Sequence, residues 1–171
     1  CTGTGSCTTT INAVTNVTAT FNVTTYPVTI TKAGNGTGTV TSAPAGLNCG
    51  ATCTASFAHN TTITLNAAPA ANSTFTGWSG GGCTGTAPCM TTITAATGVT
   101  ATFTLNSYPI NVTKAGNSTG TVTSNPPGID CGTDCTEPYL ATSVVVLTAV
   151  PAANTTFAGW TGACTGTGTC T

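Results

Sequence analysis

The chain has 171 residues, of which only 3% are charged, and its formal net charge is −1. A nucleic-acid partner is excluded, because phosphate binding needs clustered Lys and Arg, and membrane insertion is excluded because no apolar run is long enough. With one His, two basic and three acidic side chains, the sequence predicts no enzyme, no cofactor and no metal site.

Alternation of apolar and polar residues predicts short β-strands along the chain. Apolar residues alternate with Thr or Asn at 28–31, 63–67 and 99–105. Such alternation is typical of strands with one buried and one solvated face, and the β-branched Thr suits strands. Because no stretch carries a helical stripe, the sequence predicts an all-β fold. Cysteines at regular spacings argue against the alternative, a mucin-like Ser/Thr stalk.

The sequence contains an internal repeat with a period of 82 residues. A ten-residue stretch that begins at Tyr26 returns at Tyr108, and the same offset relates later Cys, Pro and aromatic positions. We therefore predict the C-terminal strands of a preceding repeat (1–25), a complete repeat (26–107) and the N-terminal part of a following repeat (108–171). Only two residues separate Leu105 from Tyr108, which predicts linkerless, stiff joints.

Several motifs of the complete repeat point to a known family. They are Thr-Gly-Thr-Val-Thr-Ser (37–42), Pro-Ala-Gly-Leu-Asn-Cys (44–49), Phe-Thr-Gly-Trp-Ser-Gly (75–80), Cys-Thr-Gly-Thr-Ala-Pro-Cys (83–89) and Val-Thr-Ala-Thr-Phe (99–103). As a set they resemble the divergent internalin-type B-repeat of bacteria. The resemblance implies tandem small β-modules, β-grasp-like or small sandwiches, in secreted or cell-surface proteins, and it implies no catalytic residues. The low charge and high Thr content depart from the family.

The cysteines come in close pairs, with three or five residues between partners. Such short segments bring two Cα atoms within about 7 Å, the reach of a disulfide, and small modules gain from covalent links. Two pairs per repeat would also suit a Cys₄ zinc site, and cross-pairing within a repeat is another alternative. The Gly/Thr-rich loops and the extracellular setting favour disulfides over zinc, and local pairing is favoured over cross-pairing. Lipidation of Cys1 is disfavoured because Cys1 is the repeat equivalent of Cys83 and Cys164. The predicted pairs are Cys1/Cys7, Cys49/Cys53, Cys83/Cys89, Cys131/Cys135 and Cys164/Cys170.

Two aromatic pairs recur at equivalent positions. We predict that they form the centre of each unit, and the alternative is an exposed platform that stacks on sugars. The residues are Phe75 and Trp78 in the complete repeat, and Phe157 and Trp160 in the following one.

Other polar side chains are weaker candidates for a function. Asn-x-Ser/Thr sequons that recur between repeats mark four candidate glycosylation sites: Asn35, Asn72, Asn117 and Asn154. Asp130, Asp134 and Glu137 would offer three oxygens to Ca²⁺, but the complete repeat lacks these acids, which disfavours a shared metal site. His59 has Ala141 as its equivalent, so we interpret it as an exposed His without a role common to both repeats.

The leading hypothesis is a structural repeat module of an extracellular bacterial fibre or surface stalk, stiffened by local disulfides and assembled head-to-tail. Its partners would then be neighbouring repeats or subunits. The alternative is a cell-surface adhesin or glycan-binding module. The exposure of Trp78 discriminates between them, because a buried indole favours the rod and an exposed one favours binding.

Residues 1–25 and 108–171 are incomplete repeats, which predicts that other segments complete them. Either the polypeptide continues as a longer array, or the head of one copy completes the tail of the next by strand addition. Cys1–Thr8 and Cys164–Thr171 are the same repeat segment, so strand addition would supply that octet twice. This duplication favours a continuous polypeptide. Both cases predict an open head-to-tail filament with two units per axial step.

Overall fold

The computed structural model describes all 171 residues, and the predicted all-β class is confirmed. The chain has no helix, and therefore no helical segment with the length and apolarity that crossing a bilayer requires. The strands are β1 (Thr25–Ala33), β2 (Gly38–Ala43), β3 (Thr54–Ala58), β4 (Thr61–Pro69), β5 (Ser73–Ser79), β6 (Cys89–Ile93), β7 (Thr97–Leu105), β8 (Ser107–Asn111), β9 (Gly120–Asn125), β10 (Thr136–Leu140) and β11 (Val146–Pro151).

Residues 26–107, the first unit, fold as two sheets that share one hydrophobic core. One sheet has the strand order β3-β1-β7-β5, and the other has the order β2-β4-β6. Both sheets contribute to a cluster of 15 buried residues, among them Val28, Ile30, Ile63 and Leu65. Of the two architectures that were expected, this arrangement is the small sandwich.

Strand β7 completes the first unit. It pairs in parallel with β1 and antiparallel with β5, so it lies inside the four-stranded sheet. Val99, Ala101 and Phe103 are at most 1% exposed, because alternate residues of a strand point to the same face.

Two glycines allow β7 to pack closely against the turn between β1 and β2. Gly34 has a φ of +89°, and a Cβ at this position would collide with the backbone carbonyl of Phe103. A Cβ at Gly38 would lie 2.6 Å from the Cζ atom of the Phe103 ring. The turn therefore accommodates Phe103 only because both positions lack a side chain.

Residues 108–171, the second unit, repeat only part of this arrangement. β8, β9, β10 and β11 correspond to β1–β4, and β8–β10 and β9–β11 form two separate antiparallel pairs. No strand follows β11, although isolated bridges join Leu147 to Cys170 and Trp160 to Gly166. The core of the second unit is correspondingly small, with four buried residues: Val122, Ile129, Cys131 and Leu147.

Residues 1–24 form no strand and are exposed throughout. Their apolar side chains are among the most exposed of the molecule, with Phe21 at 93% and Val14 at 96%. This segment therefore has the alternating sequence of a strand without the pairing of one.

Candidate functional site

All ten cysteines form disulfides, and none is free. The five pairs are Cys1–Cys7, Cys49–Cys53, Cys83–Cys89, Cys131–Cys135 and Cys164–Cys170. The Cα atoms lie 4.3 Å apart in the shorter loops and 5.4–5.5 Å apart in the longer ones, within the range that a disulfide requires. This local pairing leaves no thiol for a zinc site.

The Cys49–Cys53 loop connects the two sheets of the first unit. The backbone N–H of Cys49 donates to the carbonyl of Val40 on β2, and the N–H of Ile30 on β1 donates to the carbonyl of Cys53, both at 2.7 Å. Because β2 and β1 belong to different sheets, the loop that this disulfide closes is hydrogen-bonded to both sheets. The Cys131–Cys135 loop bonds in the same way to β9 and to the chain beyond β8.

The Cys83–Cys89 loop connects β5 to β6 and covers Trp78. The backbone N–H of Trp78 donates to Gly85 at 2.8 Å, and its Nε1–H donates to the carbonyl of Ala87 at 2.9 Å. The indole is only 5% exposed, and its ring lies edge-on to Phe75 at a centroid distance of 4.8 Å. The loop thus satisfies the polar atom of a Trp that belongs to the core.

Phe157 and Trp160, the equivalent pair in the second unit, keep this local geometry but are only half-buried. Their centroids lie 5.0 Å apart, and Nε1–H of Trp160 donates to the carbonyl of Gly168 at 2.7 Å. In the first unit Phe75 also packs on Phe103, with centroids 5.3 Å apart. The described residues of the second unit include no ring equivalent to Phe103. Phe157 and Trp160 therefore keep their contact with each other but are less buried than Phe75 and Trp78.

The joint between the units is made by Asn106, which bonds to both. Its backbone N–H donates to Asn72 in the first unit, and its carbonyl accepts from the N–H of Ala141 in the second, both at 2.8 Å. Its Oδ1 accepts a hydrogen bond from the hydroxyl of Thr74 at 2.6 Å. The sequence predicts a short joint but did not single out this residue. The feature of the sequence that could have indicated its role is its position between two predicted strands, since it is the only residue between β7 and β8.

The acidic residues near the Cys131–Cys135 loop do not assemble a metal site. No group of three or more His, Cys, Asp or Glu side chains is arranged to hold an ion. The carboxylate of Asp134 instead accepts from the backbone N–H of Thr136 at 3.2 Å, and the N–H of Asp134 donates to the carbonyl of Asp130 at 2.8 Å. These contacts stabilise the loop. His59 is exposed, with its ring 5.9 Å from that of Tyr26.

The four recurring sequon asparagines lie in exposed turns. Asn72 and Asn154 both have a φ near +60°, a conformation that Asn tolerates better than most residues. The Oδ1 of Asn35 accepts from the N–H of Leu105 at 3.0 Å, so this side chain also holds the end of β7. All four side chains are exposed to solvent, as the attachment of a sugar requires.

Two sheets linked by local disulfides, repeated along one chain, define a class of tandem β-repeat proteins. The sequence matches the Divergent InlB B-repeat domain family over residues 26–107 and 110–171, and the chain belongs to that family. The resemblance seen in the motifs is thereby confirmed, and it identifies the chain as a disulfide-containing repeat module. Searches of curated proteins and of solved structures gave no significant match.

Proposed function

We propose that the chain is a structural module of an extracellular bacterial fibre or surface stalk, in which stiff units follow one another head to tail. The observation that carries the proposal is the path of the chain through the first unit. Because β1 and β7 are parallel, the chain enters at one end of the four-stranded sheet and leaves at the other. Units of this kind, joined through Asn106 alone, extend in a row.

The covalent links support a module that works outside the cell. Disulfides persist in oxidising compartments and are rare in the cytosol, and all ten cysteines of the chain form disulfides. Two of the bonds in the first unit close loops that connect strands of different sheets: Cys49–Cys53 lies between β2 and β3, and Cys83–Cys89 lies between β5 and β6. Bonds at these connections stabilise the unit in an oxidising environment.

A glycan-binding adhesin is the alternative, and the aromatic residues disfavour it. Trp78 is buried, and its Nε1–H is already used by the carbonyl of Ala87. Trp160 is more exposed, but it packs against Phe157 and donates to Gly168. Neither indole therefore offers a free face and a free donor to a sugar ring.

Electron microscopy of the purified 171-residue chain at high concentration tests the proposal. We expect thin, unbranched filaments with an axial repeat of two units, and we expect reduction of the disulfides to shorten their persistence length. Closed globular particles at every concentration would contradict the fibre. Binding to defined glycans by such particles would favour the adhesin.

A further inference from the structure

The turn between β1 and β2 contains an Asn-Gly pair, Asn35-Gly36. In such a pair the backbone nitrogen of the glycine can attack the carboxamide carbon of the asparagine, and the missing side chain leaves its approach unhindered. Every other asparagine of the first unit precedes a residue that has a side chain. Asn35 is therefore the asparagine of this unit that is most prone to spontaneous deamidation.

The fold requires the glycine that makes Asn35 reactive. A Cβ at Gly36 would lie 2.6 Å from the carbonyl carbon of Thr104 on β7, which is closer than non-bonded atoms approach. Gly36 is also held in this place, because its N–H donates to the carbonyl of Phe103 at 3.0 Å. The close packing of β7 against the turn thus excludes any larger residue after Asn35.

The same strand restrains both groups that would react. Deamidation needs the nitrogen of Gly36 to lose its proton and the carboxamide of Asn35 to turn towards that nitrogen. In the folded unit the N–H is bonded to Phe103, and the Oδ1 of Asn35 accepts from the N–H of Leu105 at 3.0 Å. The second bond polarises the carboxamide, but the nitrogen beside it stays protonated and engaged. Because both partners lie on β7, separation of β7 frees both groups together.

We propose that Asn35 is a deamidation site and that the position of β7 sets the rate of the reaction. When β7 separates from the turn, the nitrogen of Gly36 loses its proton and forms a bond to Cγ of Asn35. The bond from Cγ to Nδ2 breaks, Nδ2 takes up a proton and leaves as ammonia, and a five-membered succinimide remains. Water then opens the ring at either carbonyl and gives aspartate or isoaspartate. The inference goes beyond the fibre, because it concerns a single unit.

The isoaspartate product does not fit the folded turn. It carries the main chain through the side-chain carbon, which lengthens the backbone at position 35 by one bond of about 1.5 Å. The turn has no space for this extra atom, since a Cβ at Gly34 or at Gly36 would already collide with the backbone of β7. A unit that opens and forms isoaspartate therefore cannot close again, and the reaction records the opening permanently.

Peptide mapping by mass spectrometry, during incubation in mildly alkaline buffer, tests the inference. The chain is produced in a host that attaches no glycan, because a sugar on Nδ2 of Asn35 would block the reaction. The folded chain should deamidate at Asn35 at least about 100-fold more slowly than a peptide of residues 31–40, since only its open fraction reacts. Asn60 is the internal control, because the β-branched Thr61 follows it, and it should react slowly even in denaturant. Equal rates at Asn35 in the folded chain and the peptide would overturn the inference.

A variant that loosens β7 gives a second measurement. Phe103→Ala leaves the sequence of the turn unchanged and should speed the reaction at Asn35 by at least about 10-fold. Met90→Ala is the matched control, because it also shortens an apolar side chain but at a position that is 71% exposed, and it should react like the parent. If Phe103→Ala does not fold, a urea series with the parent replaces it. The rate, relative to the peptide in the same urea, should then follow the unfolded fraction seen by circular dichroism. A rate that does not follow the stability of the unit would contradict the role of β7.

The reacted chain tests whether the turn excludes isoaspartate. After deamidation in denaturant and return to buffer, the chains with isoaspartate at position 35 should lack the cooperative unfolding transition of the parent. Asn35→Asp represents the other product, which keeps an oxygen to accept from the N–H of Leu105, and it should unfold close to the parent's midpoint. Isoaspartate chains that regain that midpoint would show that the opening is not recorded permanently and would overturn this part of the inference.

Discussion

The first and second units share their sequence pattern, but only the first includes strands β5, β6 and β7 among its described elements. Trp78 and Trp160 both donate to a carbonyl of their own disulfide loop, and both pack edge-on against a neighbouring Phe. Yet Trp78 is 5% exposed, whereas Trp160 is only half-buried. Part of this difference comes from β7, which brings Phe103 into the core of the first unit.

Two kinds of stabilisation are therefore separable in this molecule. The disulfide loops and their hydrogen bonds form in both units, because they depend on residues close in sequence. The joined sandwich of the first unit also needs a strand from far along the chain, which enters between β1 and β5. The disulfides stabilise the loops, and β7 joins the two sheets of the first unit around one core.

Removing the aromatic ring of Phe103, at the centre of the first unit, should have the largest effect on stability. Phe103→Ala should lower the free energy of unfolding by about 3–5 kcal/mol, because it deletes a fully buried aromatic side chain. Urea denaturation followed by circular dichroism measures the loss. Phe21→Ala, measured at a dilution where copies are separate, is the matched control and should stay within about 0.5 kcal/mol of the parent. Equal losses would mean that β7 does not organise the core.

Two equivalent glycines isolate the contribution of β7 to stability. Gly34→Ala and Gly116→Ala both place a Cβ at positive φ, which costs roughly 1 kcal/mol in either unit. Only Gly34 faces the backbone of Phe103, so its substitution should cost about 1–3 kcal/mol more, through overpacking. Thermal unfolding of the two single variants measures this gap. A gap near zero would contradict the close approach of β7 to the turn.

The loss of stability on deleting a disulfide should depend on whether its loop belongs to a folded core. The double change Cys49→Ala and Cys53→Ala opens the loop that is hydrogen-bonded to both sheets, and we expect the free energy of unfolding to fall by about 2 kcal/mol, because the bond closes so short a loop. The double change Cys1→Ala and Cys7→Ala lies in the exposed segment before β1 and should leave unfolding of a single chain unchanged. Guanidinium denaturation of both variants measures the two changes in the free energy of unfolding. A comparable loss in each would show that the amino-terminal loop is part of a core.

The smallest expected effect lies at the joint. Asn106→Ala removes the acceptor of the Thr74 hydroxyl, and the net loss should be about 1 kcal/mol. Faster hydrogen exchange at the amide of Ala141, which bonds to the carbonyl of Asn106, would report a looser joint. Thr74→Val removes the same bond from the other side, so the double variant should lose no more than the single ones. Additive losses would contradict a direct bond.

Much of the fold was predictable because its signals are local. The spacing of Cys49 and Cys53 predicts their pairing, and the alternation around Val99 predicts a strand with one buried face. The ten-residue stretch that begins at Tyr26 returns in closely similar form at Tyr108, which predicts the tandem organisation. Each of these signals depends only on residues within a few positions of each other, or on simple repetition.

The rest depends on contacts between distant segments, which no local pattern specifies. The parallel pairing of Ile30 with Val99 joins residues that are far apart in sequence, and the alternation of each strand suits either direction. The bonds of Asn106 to both units likewise arise only once the two units are in place.

The parallel pairing of β1 with β7 has a mechanical consequence. If a row of units is stretched, tension enters each complete unit at the start of β1 and leaves at the end of β7. The two strands are then pulled past one another in shear, along their own length. The pairs from Val28–Thr97 to Ala33–Thr102 carry the load together and do not unzip one after another. An antiparallel pairing of the same strands would bring both points of attachment to one end and peel them apart.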